Sequence, residues 1–483
     1  MNSFNSICNQ LYSNFTASSP TPINIVILLL EDTNVVISFN LSYIQSGLTY
    51  VTNITPFTNI TTSGTPSYFT ISGLSPNTNY SITLQSQLGD KLSNISSTLS
   101  FKTLTSVTYN ATGNYSTNTY INTNSIPYTK YTIITYSPTT GTFRFTNKTE
   151  KVGYIVVGGG AGGSYAYPYN GTNTPYVGNS NHSAGAGGSG GGISYSPYSK
   201  SNLTFNVGTT YNIGVGSGGQ GSTSKGLSTE ADPGVGYGGD SYLHTVYAYG
   251  GVSLSWGPFK SEKGLTGGLV SGGYRAYSYT ATDAGNGSSN YFNTGIGYNG
   301  LYNGRGGNGG VASINSHPGG NGYLAVDLSN LSISTVNNKY IFGGYNHYGN
   351  NKLSAITLSN TSLYPHNTSL YYVCVRSTDI SNNFGLKYND IFTDISINIS
   401  NFCAGGGGGP SNSSFSSTII GTTLTYGAGG GGNGGILSSL NGGNATLYGC
   451  GGGGGYNNHS STSYGNGGNG YQGCVILYFP TYW

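Results

Sequence analysis

Apolar and polar residues alternate along "NVVISFNLSY" (34–43) and again along "YSITLQSQL" (80–88). Alternation with a period of two predicts strands that bury one face. Runs of this kind between about residues 20 and 105 predict a small β-sandwich. From about Tyr128 the segments shorten. "YTKYTIITYSPTTGTFRFTNKTEKVGYIVV" holds three short β segments, "LTFNVGTTYNIGV" a strand pair, and Val475 to Phe479 a closing apolar strand. No apolar 3.6-residue period stands out, so the expected class is all-β.

Between these strands lie glycine tracts: Gly158–Gly163, Gly185–Gly192, Gly405–Gly409, Gly427–Gly435, Gly451–Gly455 and Gly465–Gly470, with shorter ones between. The first, in "YIVVGGGAGGS", satisfies G-x-G-x-x-G through Gly158, Gly160 and Gly163. A dinucleotide loop also needs a helix starting at the glycines and an acidic residue about 20 positions on. Pro168 and Pro175 oppose the helix, and after Glu150 the next acidic residue is Glu230. Three readings of the tracts compete. Flexible linkers are usually Gly/Ser alone, whereas these tracts are bordered by strands and by aromatics such as Tyr426 and Tyr456. Ordered loops and turns are the second reading. The preferred third is a bundle of glycine helices of the polyproline II type, here polyglycine II. These have three residues per turn and no internal hydrogen bonds, so neighbours must supply them. Collagen is excluded by the missing G-X-Y period and only 16 prolines.

Composition narrows the function. Charged residues make up 6% of the 483, against about 25% in ordinary globular chains. Glycine reaches 82 and tyrosine 44. Acid–base catalysis needs titratable groups, so no enzyme is expected, with no catalytic, cofactor-binding or metal-binding residues. Net charge is +3 with Arg144, Arg275, Arg305 and Arg376 far apart, so no nucleic-acid partner is expected. Ile25 to Leu30 is too short to span a bilayer, and no membrane insertion is expected. The first residues lack a signal-peptide pattern, which points to synthesis in a cytosol.

Isolated candidates carry little chemistry. Ser189 sits in "GGSGG", a G-x-S-x-G match without the strand and helix that a nucleophile elbow needs. His182, His244, His317, His347, His366 and His459 are dispersed. Glu31-Asp32 fits a turn between strands, and Asp390 and Asp394 have no cation-loop context. Among the cysteines, Cys8, Cys374, Cys403, Cys450 and Cys474, no C-x-x-C pair occurs. Free buried thiols and one or two late disulfides both remain open for Cys374, Cys403, Cys450 and Cys474. About twenty N-x-S/T sequons, Asn40, Asn53 and Asn94 among them, fit a chain rich in Asn, Ser and Thr. Whether they are glycosylated is open.

"YFTISGLSPNTNYSITLQSQLGDKLSNISSTLSFKTLT" resembles the C-terminal half of a fibronectin type III domain. Leu74, Pro76, Thr78 and Tyr80 fit its L-x-P-x-T-x-Y pattern. The resemblance implies a corner tyrosine at Tyr80 whose hydroxyl returns to the backbone, and a spacer or docking role. The family's early-strand Trp is missing, and Val36 or Ile37 is expected in its place. The later layout, a strand ending "VVGGGAGG" and a closing "GCVILY", resembles the glycine-rich domain of phage tail-fibre and giant-virus structural proteins. It implies a structural component of a virus particle, a surface fibre or capsid-associated layer, made in the host cytoplasm and located in the virion. The implied partners are further copies of the chain (a homo-oligomer, with a trimer as one option), other virion proteins and a host-surface glycan. A carbohydrate-binding adhesin using Tyr-rich loops such as Gly272–Thr282 is the rival. The expected organisation is an N-terminal segment 1–19, a fibronectin-like sandwich 20–105, a polar linker 106–127, a first glycine-rich β part 128–323, a glycine-poor β insert 324–400 and a second glycine-rich part 401–483.

Overall fold

A computed structural model of the chain describes residues 19–42, 48–56, 60–62, 68–165, 185, 187–223, 236–251, 297–298, 302–305, 326–327, 340–343, 353–356, 394–397, 399, 402–407, 409, 411–412, 427, 429–458 and 464–483. The described residues are almost entirely strands and irregular segments, with one short 3₁₀ turn at Tyr198–Lys200. They fall into two compact units. One comprises residues 1–108, 119–132 and 480–483; the other comprises 109–118 and 133–479.

The first unit holds two antiparallel sheets. One pairs Pro22–Leu30, Asn34–Leu41 and Tyr68–Ser72 in that order; the other centres on Asn79–Leu88, flanked by Thr49–Thr55 and Leu99–Lys102. The alternation seen in the sequence becomes the burial pattern. Val35, Ile37 and Phe39 are buried from one sheet, and Tyr80, Ile82 and Leu84 from the other. Val35 and Ile37 share a core with Ile54, Ile71, Leu74, Tyr80, Ile82 and Phe101. Ile37 points inward and Val36 does not, so Ile37 takes the core position. The Tyr80 hydroxyl accepts the Ser75 backbone N–H at 2.8 Å, which ties the turn before the strand to the core. Glu31-Asp32 forms the turn between the first two strands. Glu31 is ion-paired with Lys130 at 2.7 Å, and Asp32 accepts a hydrogen bond from Ser106.

Two larger sheets have most of their residues in the second unit. The stretch expected as a polar linker contributes two strands here, Tyr109–Thr112 and Tyr115–Asn122. A seven-stranded sheet runs in the order Tyr115–Asn122, Thr129–Tyr136, Cys474–Pro480, Gly153–Val157, Ile193–Ser196, Tyr302–Arg305 and Val326–Asp327. A six-stranded sheet runs Gly297–Tyr298, Val246–Ala248, Ser241–Leu243, Tyr211–Gly214, Gly141–Phe145 and Tyr109–Thr112. Phe479 of the first sheet packs on Phe143 and Phe145 of the second, with ring centroids 5.8 and 4.9 Å apart. Gly153–Val157 is buried on both faces, as is nearly all of Cys474–Pro480. This explains why "YIVV" and "CVILYF" read as continuous apolar runs rather than alternating ones.

The register of these strands places the glycine tracts. Val157 pairs with Ile193 on one side and with Cys474 on the other. Residues 158–163 leave that end of the sheet, and residues 187–192 and 465–473 arrive at it. In the other sheet Gly214 pairs with Tyr242, and Ser241 with Ala248. This brings residues 216–222, 236–239 and 250–251 to one end in the same way.

Candidate functional site

The tracts form one hydrogen-bonded core. Along residues 158–163 the backbone partners change with every residue and return after three. Gly158 and Ala161 donate to Gly192 and Ser189, Gly159 and Gly162 to Gly239 and Gly236, and Gly160 and Gly163 to Tyr471 and Gly468. Each partner series steps back by three, so these neighbours run antiparallel. Carbonyls point to three more tracts: Gly159 accepts from Gly251, Gly160 from Gly219, and Ala161 from Gly452. One tract thus bonds three neighbours through its N–H groups and three through its carbonyls.

Residues 451–456 repeat the arrangement. Gly451 and Gly454 donate to Ala404 and Gly407, Gly452 and Gly455 to Ala161 and Ser164, and Gly453 and Tyr456 to Gly443 and Leu440. Their carbonyls accept in the same rhythm. Gly452 and Gly455 take Gly188 and Gly185, Gly451 and Gly454 take Gly432 and Gly435, and Gly453 and Tyr456 take Gly468 and Gly465. Nearly all of these glycines avoid the left-handed region, so conformational freedom is not what selects them. Space is. A Cβ on Gly163 would collide with the Gly453 carbonyl, and one on Gly453 with the Asn433 carbonyl, both far inside contact distance. Gly449 is an exception, at φ +71° where its tract begins.

This arrangement settles what the G-x-G-x-x-G glycines do. The N–H groups that would cradle a pyrophosphate are already held by carbonyls of other tracts. Ser189 is fully buried inside a tract, and its carbonyl accepts the Ala161 N–H at 2.9 Å. His244 occupies a turn at φ +55° against Tyr211, with ring centroids 5.0 Å apart. The other five histidines, Asp390, Cys8, Cys374 and the tyrosine loop Gly272–Thr282 lie outside the described residues.

Cys403, Cys450 and Cys474 are buried thiols outside any disulfide, Cys403 and Cys450 at the starts of tracts and Cys474 at the start of the closing strand. Two of them bond the tract backbone. The Cys403 thiol reaches the Gly192 carbonyl at 3.5 Å, and the Ala404 N–H donates to Cys450 Sγ at 3.4 Å. Burial pushes the Cys450 thiol up to about 12 and raises Cys403 and Cys474 as well.

One polar knot borders the core, and sequence reasoning passed over it because its members are far apart in the chain. Buried Glu150 accepts from the Tyr198 hydroxyl and the Lys151 N–H, each at 2.9 Å, and pairs with Lys148. Tyr198 N–H donates to the Tyr478 hydroxyl at 2.8 Å. Asp394 faces Tyr478 and the backbone of Ser199 and Tyr198, which favour its charged form against burial. Asp394 Oδ2 is buried with no partner, and burial raises its carboxyl above the usual range. Gly153 makes room for the knot, since a Cβ there would strike the Tyr478 ring. Among the described residues no group of three or more His, Cys, Asp or Glu is placed to hold a metal ion, and no helix is long and apolar enough to cross a membrane.

Residues 136–363 match the family described as a glycine-rich domain. The match opens at the end of strand Thr129–Tyr136, three strands ahead of the first tract. It stops short of residues 402–483, which supply one of the two six-neighbour tracts and the closing strand. No curated protein matches the chain.

Proposed function

We propose that the chain is a structural component of a virus particle, a surface fibre or a capsid-associated layer. In this reading the first unit is a fibronectin type III-like sandwich, and the tracts form a bundle of polyglycine II-type helices. The observation that carries it is the three-residue rhythm of backbone partners around residues 158–163 and 451–456. A helix with three residues per turn and no internal bonds presents its N–H and C=O groups outward in such rows. The tyrosine-corner bond from Ser75 to Tyr80 supports the sandwich assignment.

The role is mechanical. Ordering glycine costs more entropy than ordering any other residue. A lattice in which each interior tract bonds six neighbours offsets that cost through many backbone bonds of about 0.5–1.5 kcal/mol each. Such a core owes little to charge and little to side chains. It suits an extracellular or particle-borne part that must hold its shape across changes of pH and salt. Mass spectrometry of purified particles, with immuno-electron microscopy using an antibody to the chain, tests the assignment. Stoichiometric presence on the particle surface is expected, and absence from particles overturns it.

A further inference from the structure

The tract 465–473 shows where the glycine core ends. Its N–H groups fall into three rows. Gly465, Gly468 and Tyr471 donate to Tyr456, Gly453 and Cys450, while Gly467, Gly470 and Gly473 donate to Ser222, Gly219 and Gly216. The third row, Asn466 and Asn469, donates to side chains instead. Asn441 Oδ1 takes the Asn466 N–H at 2.9 Å, and Asn444 Oδ1 takes that of Asn469 at 2.8 Å. Asn469 Oδ1 in turn takes the Gly221 N–H at 2.7 Å. Asn441, Asn444 and Asn469 are all exposed. The sequence carries the same spacing twice, as "NGGN" at 441–444 and at 466–469. Interior runs such as Gly451–Gly455 carry no side chains at all.

A row of N–H donors every third residue, on a backbone flanked by glycine, is complementary to one kind of partner. That partner is another glycine tract, whose carbonyls repeat at the same interval and whose missing Cβ atoms allow close approach. An uncovered edge of this kind recruits a second chain, as an uncovered sheet edge does. We propose that Asn441, Asn444 and Asn469 close the glycine core against a tract from a second copy of this chain, so that copies associate through other surfaces. The proposal rests on the polyglycine II-type reading above.

The test replaces Asn441→Gly and Asn444→Gly together. This removes both acceptor side chains and leaves a backbone that suits the core. Sedimentation velocity is expected to show a concentration-dependent rise to at least a doubling of the wild-type mass, with the Asn466 and Asn469 amides unprotected in the dilute single copy and protected again as copies associate. Asn441→Asp with Asn444→Asp keeps an acceptor oxygen at each place and is expected to keep the wild-type mass. If the double glycine variant fails to hold its core, Asn444→Gly alone carries the same comparison with a smaller shift. A glycine variant that sediments as wild type while Gly451–Gly455 stay protected overturns the proposal. So do wild-type Asn466 and Asn469 amides that exchange at solvent rates. Loss of protection at Gly451–Gly455 in the wild-type chain would instead strike the bundle reading itself.

Discussion

Gly160 faces the carbonyl of Cys450 with no room between them for a methyl group. The two residues are 290 positions apart (450 − 160) in the sequence. Gly160→Ala is therefore expected to destabilise the second unit by about 1–3 kcal/mol through overpacking. Gly453→Val, against the Asn433 carbonyl, belongs at the upper end of that range or beyond. Gly208 offers the contrast, with φ +78° and nothing within 4 Å of an added Cβ. Gly208→Ala meets only the left-handed backbone penalty, about 1–2 kcal/mol. Denaturant titration of the three variants checks the order, and a Gly453→Val chain as stable as Gly208→Ala would contradict it.

Amide exchange reads the core directly. The N–H groups of Gly406, Gly407 and Gly451–Gly455 all donate to backbone carbonyls of other tracts or to Ala404, Ala161, Ser164 and their like in those tracts. They are expected to exchange orders of magnitude more slowly than solvated glycine. Random-coil rates there would return the tracts to the status of linkers.

Tyr80→Phe removes the acceptor of the Ser75 N–H and nothing of the ring's packing beside Phe101. A loss of about 1–3 kcal/mol is expected in the first unit, the cost of one donor left without its partner. Differential scanning calorimetry of the full chain distinguishes this from a change in the second unit. An unmoved transition would mean that the hydroxyl does not secure the corner.

Asp394 makes stability depend on pH in a defined direction. Its folded carboxyl titrates above its unfolded value because burial disfavours the charged form. At neutral pH the folded state carries that unfavourable charge, or holds the proton at a cost. Lowering pH through the folded value toward about 4 removes the penalty, so this residue stabilises the fold increasingly as pH falls and less as pH rises. Asp394→Asn should flatten that component of a melting-temperature series between about pH 4 and pH 7. An unchanged slope would show that other groups set it.

The three buried thiols are expected to resist labelling. A thiol raised well above the solution pH has almost no thiolate, the reactive form. Cys403, Cys450 and Cys474 should take up a thiol reagent only after unfolding, as followed by peptide mass spectrometry. Rapid native labelling of Cys450 would contradict its burial between Ala404 and Ala445.

Much of this was open to reading along the chain. Alternation in 34–43 and 80–88 marked the sandwich strands, because a period of two assigns each side chain to a face without reference to distant residues. The L-x-P-x-T-x-Y spacing marked Tyr80 for the same reason, since its hydrogen bond returns only five positions, to Ser75. Pro168, Pro175 and the absence of an acidic residue between Glu150 and Glu230 argued against a phosphate loop, and glycine recurring between strands pointed to backbone pairing. None of this required knowing which tract lies beside which.

Tertiary structure alone decided the rest. A glycine tract has no side chain to specify a neighbour, so its sequence is equally compatible with every other tract. The choice is made by strand register: Val157 opposite Ile193 and Cys474 sets three tracts side by side, and Gly214 opposite Tyr242 helps to set the next layer. The knot of Glu150, Tyr198, Tyr478 and Asp394 was invisible for a related reason. Its members span 328 positions (478 − 150) and meet only because two strands and a 3₁₀ turn converge beside Gly153. Local periodicity can encode which face of a strand is buried. It cannot encode which backbone will stand within hydrogen-bonding distance of a residue that has no side chain.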